Sequence, residues 1–444
     1  MNQKVTGSLR SRLADKLADS LVGALPAGTP RRVHGTIALP NKATAVIGMR
    51  RAGKSTFLHQ IRRERLAGGI ARERLPYINF EDEQLAGLEA RDLGSLLEEY
   101  YRRFPALRGK DTVTWCLDEI QTVPGWERFV RRILDSEKVD VFISGSSAAL
   151  LSREIATAMR GRAWEVIIHP FSFEEYLRHQ GHALPEDPTF LSAPQRSSLE
   201  HAFLEYLETG GFPEAQGLAA ADRYLLLQDY VDVAILRDVV ERHAVRNVVA
   251  LRSLVRHLLG NAASLFSVEK CFSSLKSQGI SISKDSVHQL VGHLEDCFLL
   301  RTVWMESGSE RQRMVNPRKA YPIDTGLIPV FDRTGRANTG HALETIVLLE
   351  LERRRADVTY VRTRDGREVD FLARVPAGGA ELIQVCADPS DERVLRREID
   401  ALELAGKQHP KAAKRLLTLT RDVIPAGLPA GVIVQPAYAW LLGH

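Results

Sequence analysis

The sequence predicts an α/β protein in which a parallel sheet of the P-loop type is followed by a helical segment and by a second, smaller α/β region. Three observations lead to this fold class. Apolar runs of strand length alternate with helical patterns from about residue 40 to 170, which is typical of a parallel sheet covered on both faces. From 172 to 300 the hydrophobic period is helical almost throughout. From 321 onward, strand patterns return between helices.

Length and composition restrict the classes of protein that fit. The chain has 444 residues, and its 60 basic and 56 acidic side chains give a formal charge of +4. This length is enough for about three domains, and the near-neutral balance means that a nucleic-acid surface must be a local patch. No apolar run reaches about 18 residues and the N-terminus lacks a signal peptide's apolar core, so we expect a cytoplasmic protein without a membrane segment. The four cysteines form no C-x-x-C pair, which argues against structural zinc and a disulfide framework.

The first segment, 1–30, carries an amphipathic pattern. Four leucines recur every four residues between Leu9 and Leu21, with polar side chains between them, which predicts a helix with one apolar face. Packing on the neighbouring domain is the favoured interpretation, and a partner-binding arm is the alternative. Val33–Leu39 is a candidate strand before the first motif.

A glycine-rich turn between a strand and a helix is the strongest local motif. The apolar run Thr44–Ile47 leads into Gly48-Met49-Arg50-Arg51-Ala52-Gly53-Lys54-Ser55, a G-x-x-x-x-G-K-S pattern that opens a helix. Backbone N–H groups of such a loop surround phosphate oxygens, with the helix N-terminus behind them. Lys54 reaches the β- and γ-phosphates, and the Ser55 hydroxyl binds Mg²⁺. The predicted cofactors are therefore ATP and Mg²⁺, and the predicted nucleotide-binding residues are Gly48, Arg50, Arg51, Ala52, Gly53, Lys54, Ser55 and Thr56. A glycine-rich turn without a nucleotide is the alternative.

Two acidic residues follow a second apolar strand. The run 112–117 ends in Asp118 and Glu119, and a buried parallel strand would deliver both carboxylates to its carboxyl end. Asp118 is expected to hold Mg²⁺ through water, with Glu119 polarising the attacking water. The alternative is that the two acids cap the helix that starts near Trp126.

A third strand predicts a residue that senses the nucleotide. The run 139–147 is apolar until Ser144, and in ring-forming P-loop ATPases a polar residue at this place senses the γ-phosphate. The alternative role of these serines is to cap the next helix, which we expect of Ser146 or Ser147.

Two arginines suggest that the active species is an oligomer. Arg160 and Arg162 lie between a helix and the apolar strand 163–169, where either is placed to act as a finger on a neighbouring subunit's nucleotide. Such a residue neutralises charge that develops on the transferred phosphoryl group. A homo-oligomeric ring, most simply a hexamer, is therefore predicted, and a pair of surface arginines is the alternative.

Four segments follow the N-terminal helix in the predicted domain order. They are an ATPase core over 31–171, a helical lid over 172–246, a winged helix over 247–318 and a nuclease-like α/β domain over 319–444. Lys276, Lys284, His288 and His293 form a modest basic face of the winged helix, and Arg311, Arg313, Arg318 and Lys319 lie in the wing region. DNA is therefore a predicted partner, and a winged helix used only for protein packing is the alternative.

The last segment has the layout of a PD-(D/E)xK nuclease with two substitutions. Glu344 on a helix, with Glu368 and Asp370 on a strand, fits the acids that hold Mg²⁺. Gln384 stands where another acid is needed, and Cys386 stands where a lysine is needed. Because a neutral amide is a weak Mg²⁺ ligand and no cation is expected nearby, we predict a degenerate site that does not cut DNA.

The motifs occur in the order of a known group. The chain resembles archaeal-type AAA+ ATPases, related to the STAND branch, that carry a winged helix and a C-terminal domain with a nuclease-like core. The matching stretches are the glycine-rich loop, Leu117-Asp118-Glu119-Ile120-Gln121, Ser144-Gly145-Ser146-Ser147, Arg160-Gly161-Arg162, Gly210-Gly211-Phe212-Pro213-Glu214, Asp324-Thr325-Gly326 and Glu368-Val369-Asp370-Phe371. The resemblance covers about residues 30–410 and implies an AAA+ core that binds and hydrolyses ATP. Ser55 in place of the commoner Thr keeps a hydroxyl for Mg²⁺.

Three functions agree with these patterns. The first is an ATP-hydrolysing AAA+ ring motor that translocates on DNA, remodels it or drives branch migration, with the DNA held by the winged helix and the inert nuclease-like domain. The second is a STAND-like switch in which nucleotide exchange signals to a partner. The third is an ATP-controlled nuclease, which requires another residue to supply the missing base.

Overall fold

The computed structural model describes residues 3–34, 37–145, 159, 161–332, 338–376, 378–421, 429 and 431–443. The chain divides into two compact units, Met1–Ile168 and His169–His444. The predicted boundary at 171 lies close to this division, and the structure places the N-terminal helix in the first unit. Among the residues that the structure describes, none of the helices combines the length and the apolar character that a membrane crossing needs.

The first unit is built on a five-stranded parallel sheet. Its strands, in the spatial order β2-β3-β4-β1-β5, are β1 (Ala43–Ile47), β2 (Tyr77–Asn79), β3 (Val113–Asp118), β4 (Val139–Gly145) and β5 (Ala163–Ile167). Its helices are α1 (Gln3–Val22), α2 (Lys54–Ala67), α3 (Ala90–Arg103) and α4 (Trp126–Ser136). All residues of β1 and β3 are buried, as expected for central parallel strands covered on both faces. The carboxyl ends of β1, β4 and β3 therefore lie side by side at one edge.

The N-terminal helix packs on the first unit. Leu13 and Leu17 of α1 are buried, and the Ser20 carbonyl accepts a hydrogen bond of 2.5 Å from the Arg62 guanidinium of α2. This agrees with the favoured interpretation of the leucine repeat. The described residues of the candidate strand Val33–Leu39, which are 33, 34 and 37–39, have no strand structure.

The second unit is built on an eight-stranded mixed sheet. In the order β13-β12-β11-β10-β9-β7-β8-β6, it contains β6 (Ser264–Phe266), β7 (Leu300–Met305), β8 (Arg318–Pro322), β9 (Asp357–Arg362), β10 (Glu368–Arg374), β11 (Ala380–Cys386), β12 (Ala413–Thr418) and β13 (Val432–Pro436). Its helices are α5 (Phe173–His179), α6 (Ala193–Thr209), α7 (Ala220–Val233), α8 (Val248–Gly260), α9 (Val268–Ser277), α10 (Lys284–Asp296), α11 (Glu310–Val315), α12 (Ile328–Phe331), α13 (Thr339–Arg353), α14 (Glu392–Gln408) and α15 (Ala437–Leu442).

One sheet joins the segments predicted as a winged helix and as a nuclease-like domain. Strand β7 pairs antiparallel with β8 and parallel with β9, where Trp304 faces Thr359. The predicted boundary between 318 and 319 therefore falls inside β8, and the structure corrects it by placing both segments in one sheet. Two local features add to the predicted segments: a π-helix over Ala234–Glu241 within the predicted helical lid 172–246, and helix α11 in the predicted wing region.

Alternate strand residues of this sheet feed two apolar cores. Phe371, Ile383 and Leu417 lie in one core together with residues of α6, α13 and α15. Their neighbours Leu372, Leu382 and Leu416 lie in the other core, which α14 covers. Because successive side chains of a strand point to opposite faces, these pairs place helices on both sides of the sheet.

Candidate nucleotide-binding site

The loop after β1 has three residues with positive φ, two of which are glycines. Gly48 has φ 148°, and a Cβ on it would collide with the Ile168 carbonyl oxygen. Gly53 has φ 99° and is the residue directly before α2, so it lies next to the N–H groups of the first turn of that helix. Arg51 takes the left-handed value φ 66°. The loop therefore curves around a space at the N-terminus of α2, which is the arrangement that phosphate binding requires.

Lys54 is buried beneath this loop. Its ammonium donates to the carbonyl oxygens of Gly48 and Met49, each at 3.2 Å, and lies 3.9 Å from Glu119 Oε1. The lysine thus connects the loop to the acidic edge of β3. This is the position from which an ammonium can neutralise phosphate charge near the group that orients water.

Asp118 ends β3 with both carboxylate oxygens occupied. Tyr77, on the neighbouring strand β2, donates its hydroxyl to Asp118 Oδ2 at 2.6 Å, and Ser144 of β4 donates to Oδ1. Tyr77 was not among the predicted site residues, and nothing in its strand pattern distinguishes it from a core aromatic. The two hydroxyls fix the plane of the carboxylate.

Glu119 lies beside Asp118 in a strained turn. Its φ is 52°, in the left-handed region that side chains other than glycine rarely adopt. The Glu119 N–H donates to Ser144 Oγ at 3.0 Å, and the Gln121 amide donates to its carboxylate. Burial raises the pKa of Glu119, while the Lys54 ammonium opposes this rise. Ser144 thus holds both acids, which is consistent with its predicted place next to the nucleotide.

The donor set suits ATP and Mg²⁺. A cradle that a Cβ on Gly48 would fill accepts phosphates, while the exposed Ser55 hydroxyl and the Asp118 carboxylate are oxygen ligands of the kind Mg²⁺ prefers. The Gln121 Oε1 atom is buried at this edge without a hydrogen-bond partner. Ser55 and Asp118 would therefore hold the ion, which would supply charge neutralisation to the phosphates.

Two further residues support the loop. Arg31, outside the predicted site, donates to the Ala52 carbonyl at 2.7 Å, and its own N–H donates to Gln60 Oε1 at 2.7 Å. Arg50 forms an ion pair of 3.3 Å with Glu81, which lies two residues after the end of β2. The N-terminal segment and the segment after β2 thus both contact the phosphate-binding loop.

The two candidate finger residues differ in what the structure describes. Arg160 lies outside the described residues. Arg162 lies just before β5 and forms an ion pair with Asp135 of α4. Its side chain is 41% exposed, so the guanidinium is accessible at the surface of the first unit.

The predicted nuclease-like acids do come together in the second unit, around a lysine. Glu344 of α13 and the β10 residues Glu368 and Asp370 each form an ion pair with the Lys319 ammonium, at 2.8, 2.8 and 2.9 Å. The expectation that no cation lies nearby is therefore wrong, because β8 brings one from outside the motif. Lys319 is also buried, so it does not belong to the predicted DNA-facing residues. The stretch Arg318-Lys319-Ala320-Tyr321-Pro322 carries two adjacent cations, and nothing in its pattern marks Lys319 as the buried one.

Gln384 and Cys386 of β11 take structural positions. Gln384 Oε1 accepts from the Asp370 N–H at 3.2 Å, and its Nε2 donates to Glu398 of α14 at 2.7 Å. Burial raises the pKa of the Cys386 thiol to about 11, so it remains neutral. Over the described ranges, no group of three or more His, Cys, Asp or Glu side chains is arranged to hold a metal ion.

Comparison with known proteins places the nucleotide site in a recognised context. Residues 40–177 match a family described as an AAA domain, and residues 200–336 match a domain of unknown function, DUF8612. The chain is 34% identical over 374 residues to the uncharacterized protein MJ1544 of Methanocaldococcus jannaschii, covering 83% of this chain and 80% of that protein. It is 31% identical over 330 residues to an uncharacterized protein of Haemophilus influenzae, covering 74% and 78%.

Solved structures give weaker likenesses. The Walker-type ATPase PABY2304 of Pyrococcus abyssi is 16% identical with a TM-score of 0.39, over 72% of this chain and 95% of that one. Cdc6p from Pyrobaculum aerophilum is 11% identical with a TM-score of 0.25, over 70% and 96%.

Proposed function

We propose that this chain, which belongs to the same family as the uncharacterized protein MJ1544, is an ATP-hydrolysing AAA+ ring motor that acts on DNA. One observation carries the ATPase part. Lys54, Asp118, Glu119 and Ser144 converge at the carboxyl edge of β1, β3 and β4, with the ammonium 3.9 Å from Glu119. An ammonium group that can bind phosphate therefore lies close to two carboxylates that have different hydrogen-bond partners.

Each residue has a separate role in this proposal. Lys54 turns from the loop carbonyls to the β- and γ-phosphate oxygens and neutralises their charge. Asp118, fixed by Tyr77 and Ser144, holds the water shell of the ion. Glu119 orients the attacking water, for which a buried carboxylate with a raised pKa is a suitable proton acceptor.

The DNA part rests on a basic surface of the second unit. Helices α9 and α10 precede the β7–β8 pair, as in a winged helix, and Lys276, Lys284 and Arg311 are exposed there. The Arg318 guanidinium lies 3.4 Å from the Trp304 ring centroid, where it is held in place by a cation–π contact. These side chains offer phosphate contacts rather than a base-reading pattern.

The first experiment measures ATP hydrolysis with duplex, single-stranded and four-way junction DNA and without DNA. We expect at least one DNA form to raise the rate. A rate that no DNA changes, together with nucleotide-dependent capture of a protein partner, would instead favour the STAND-like switch.

The second experiment reverses charge on the basic surface. Lys284→Glu and Arg311→Glu should each weaken DNA binding for all sequences alike, because each removes a phosphate contact. Each should also reduce the slope of the logarithm of the binding constant against the logarithm of the salt concentration by about one. Lys414→Glu is the matched control, since Lys414 forms an ion pair with Glu403 elsewhere in the unit. Equal effects of all three variants would rule out this surface.

A further inference from the structure

A single ammonium satisfies three acidic side chains from two elements of the second unit. The Lys319 ammonium donates hydrogen bonds to Glu344 and Asp370 and forms an ion pair with Glu368, so three carboxylates share one cation. The Lys319 side chain is only 4% exposed, and those of Glu344 and Asp370 are 12% and 10% exposed. Glu368, at 31%, lies on the open side of the cluster.

Burying charged side chains away from water raises the free energy of the folded state unless the charges compensate one another. Burial by itself lowers the pKa of Lys319, but the neighbouring carboxylates, Asp370 foremost, raise it well above its ordinary value, so the ammonium stays charged. Burial and the Asp370 charge raise the pKa of Glu344 to about 7. Without the ammonium, three acids would face one another with no counter-charge.

The inner acids also accept hydrogen bonds from other groups. Asp370 Oδ2 accepts from the Val385 N–H at 3.0 Å, and Glu344 Oε1, which accepts from Lys319, also accepts from the Tyr321 hydroxyl at 2.6 Å. Gln384, which replaces an acid, turns its amide oxygen to the Asp370 N–H. The carboxylates are therefore ordered around the lysine.

We propose that the Lys319 ammonium takes the position that a divalent cation would occupy among these acids, and so makes the nuclease-like sheet a metal-free clamp. The inference that the Lys319 ammonium takes the place of a metal ion depends on the geometry of the cluster alone. The consequence that DNA is held without being cut rests on the proposed function.

The test titrates Mn²⁺ into the full-length protein without nucleotide or DNA. Wild type and Asp370→Asn should bind Mn²⁺ equally, because the cluster holds no ion in either. Lys319→Met removes the charged ammonium while keeping the unbranched stem up to Cε, and should gain one site at least about tenfold tighter than any in wild type, since three uncompensated carboxylates favour a divalent ion. Lys319→Met/Asp370→Asn should lose that site again.

Two controls separate charge from packing. Lys319→Arg keeps a positive charge and should gain no Mn²⁺ site. Lys414→Met removes a lysine from a more exposed ion pair of the same unit and should also gain none. The melting temperature of Lys319→Met should rise with Mn²⁺, while that of wild type should not.

Several outcomes would overturn the proposal. Mn²⁺ binding by wild type that Asp370→Asn abolishes would show that the cluster takes a metal with the lysine in place. Plasmid cleavage by wild type with Mn²⁺ that Asp370→Asn abolishes would show the same. A folded Lys319→Met that gains no site would show an ordinary ion-pair cluster. If Lys319→Met does not fold, the comparison of Mn²⁺ binding by wild type and by Asp370→Asn decides whether the cluster holds a metal ion. ATPase rates that DNA does not change would contradict the proposed function without altering these titrations.

Discussion

The surroundings of Asp118 show how single side chains fix the geometry of the candidate nucleotide site. One carboxylate accepts hydroxyl groups from both neighbouring strands, Tyr77 at 2.6 Å on β2 and Ser144 on β4. The Tyr77 ring is itself held by the His59 ring at 4.4 Å between centroids and by the Arg62 guanidinium at 5.3 Å. Burial, and then the Arg62 charge, lower the pKa of His59 to about 4, so this support stays neutral at physiological pH.

Tyr77→Phe should weaken the metal step of ATP hydrolysis. Loss of the hydroxyl frees one oxygen of Asp118 to rotate, and supporting residues of this kind change metal affinity by about 10- to 100-fold. We expect the Mg²⁺ concentration for half-maximal ATPase rate to rise about tenfold, with binding of metal-free nucleotide unchanged. Tyr101→Phe is the matched control, because the buried Tyr101 hydroxyl has no hydrogen-bond partner. Equal Mg²⁺ dependence in both variants would contradict a positioning role.

Lys54→Ala and Glu119→Gln should separate binding from turnover. Lys54→Ala removes charge-assisted contacts worth about 1.5–3 kcal/mol each, so ATP binding should be lost in a fluorescence titration. Glu119→Gln keeps the backbone donor to Ser144 and should bind ATP normally while turnover falls by about 100-fold or more. Lys110→Ala, at an exposed position of the same unit, should change neither quantity. Wild-type turnover by Glu119→Gln would show that another group orients the water.

At the element scale, a buried aspartate joins two loops of the second unit. Asp324 accepts from the N–H groups of Gly211 at 2.6 Å and Gly326 at 2.9 Å. Gly210 has φ 73°, and a Cβ on it would collide with the Asp324 carboxylate. The glycine pair after α6 and the turn after β8 therefore form one contact, although more than 100 residues separate them in the chain.

The stability of the second unit should depend on pH through Asp324. Burial raises its pKa to about 7, while the two backbone donors oppose the rise. Because the folded pKa exceeds the unfolded value of about 3.9, the contribution is fully present below about pH 4 and is lost as pH rises through 7. Urea unfolding from pH 5 to 8 should show a loss of up to about 1.4 kcal/mol per pH unit in wild type. Asp324→Asn should lack that part of the slope, and an equal slope would place the titration elsewhere.

At the scale of the whole molecule, the predicted ring connects the ATPase site to a neighbouring subunit. Arg162 is held by Asp135 within its own unit and remains 41% exposed. A finger function requires this ion pair to open and the guanidinium to reach another subunit's phosphates. Opening this exposed ion pair should cost little free energy, since surface ion pairs contribute only about 0–1 kcal/mol to stability.

Assembly should follow nucleotide occupancy. Sedimentation of Glu119→Gln with ATP should show a ring, most simply a hexamer, because bound nucleotide would attract the finger. Lys54→Ala with ATP should sediment as without nucleotide. Arg162→Ala should reduce the ATPase rate by about 1,000-fold or more if it is the finger, and Asp135→Ala should leave the rate near that of wild type. A monomer with full activity at all concentrations would contradict both the finger and the motor.

The sequence by itself determined the nucleotide-binding loop, the acidic strand and the alternation of strands and helices in the first unit. These features are local. Glycines at 48 and 53, a lysine at 54 and an apolar run before Asp118 follow from what one turn or one strand needs for phosphate and metal chemistry. The acids Glu344, Glu368 and Asp370 were also predicted, since strand and helix patterns place them at related positions.

Only the tertiary structure decided which residues complete these sites. Tyr77 reaches Asp118 because β2 pairs with β3, and Lys319 reaches the three acids because β8 belongs to the same sheet as β10. The sequence predicted a boundary at 318 and no cation near the acids, because a strand pattern does not state which strands become neighbours. Sheet order is set by packing between distant segments. For that reason a lysine assigned to a DNA-facing wing lies buried among carboxylates.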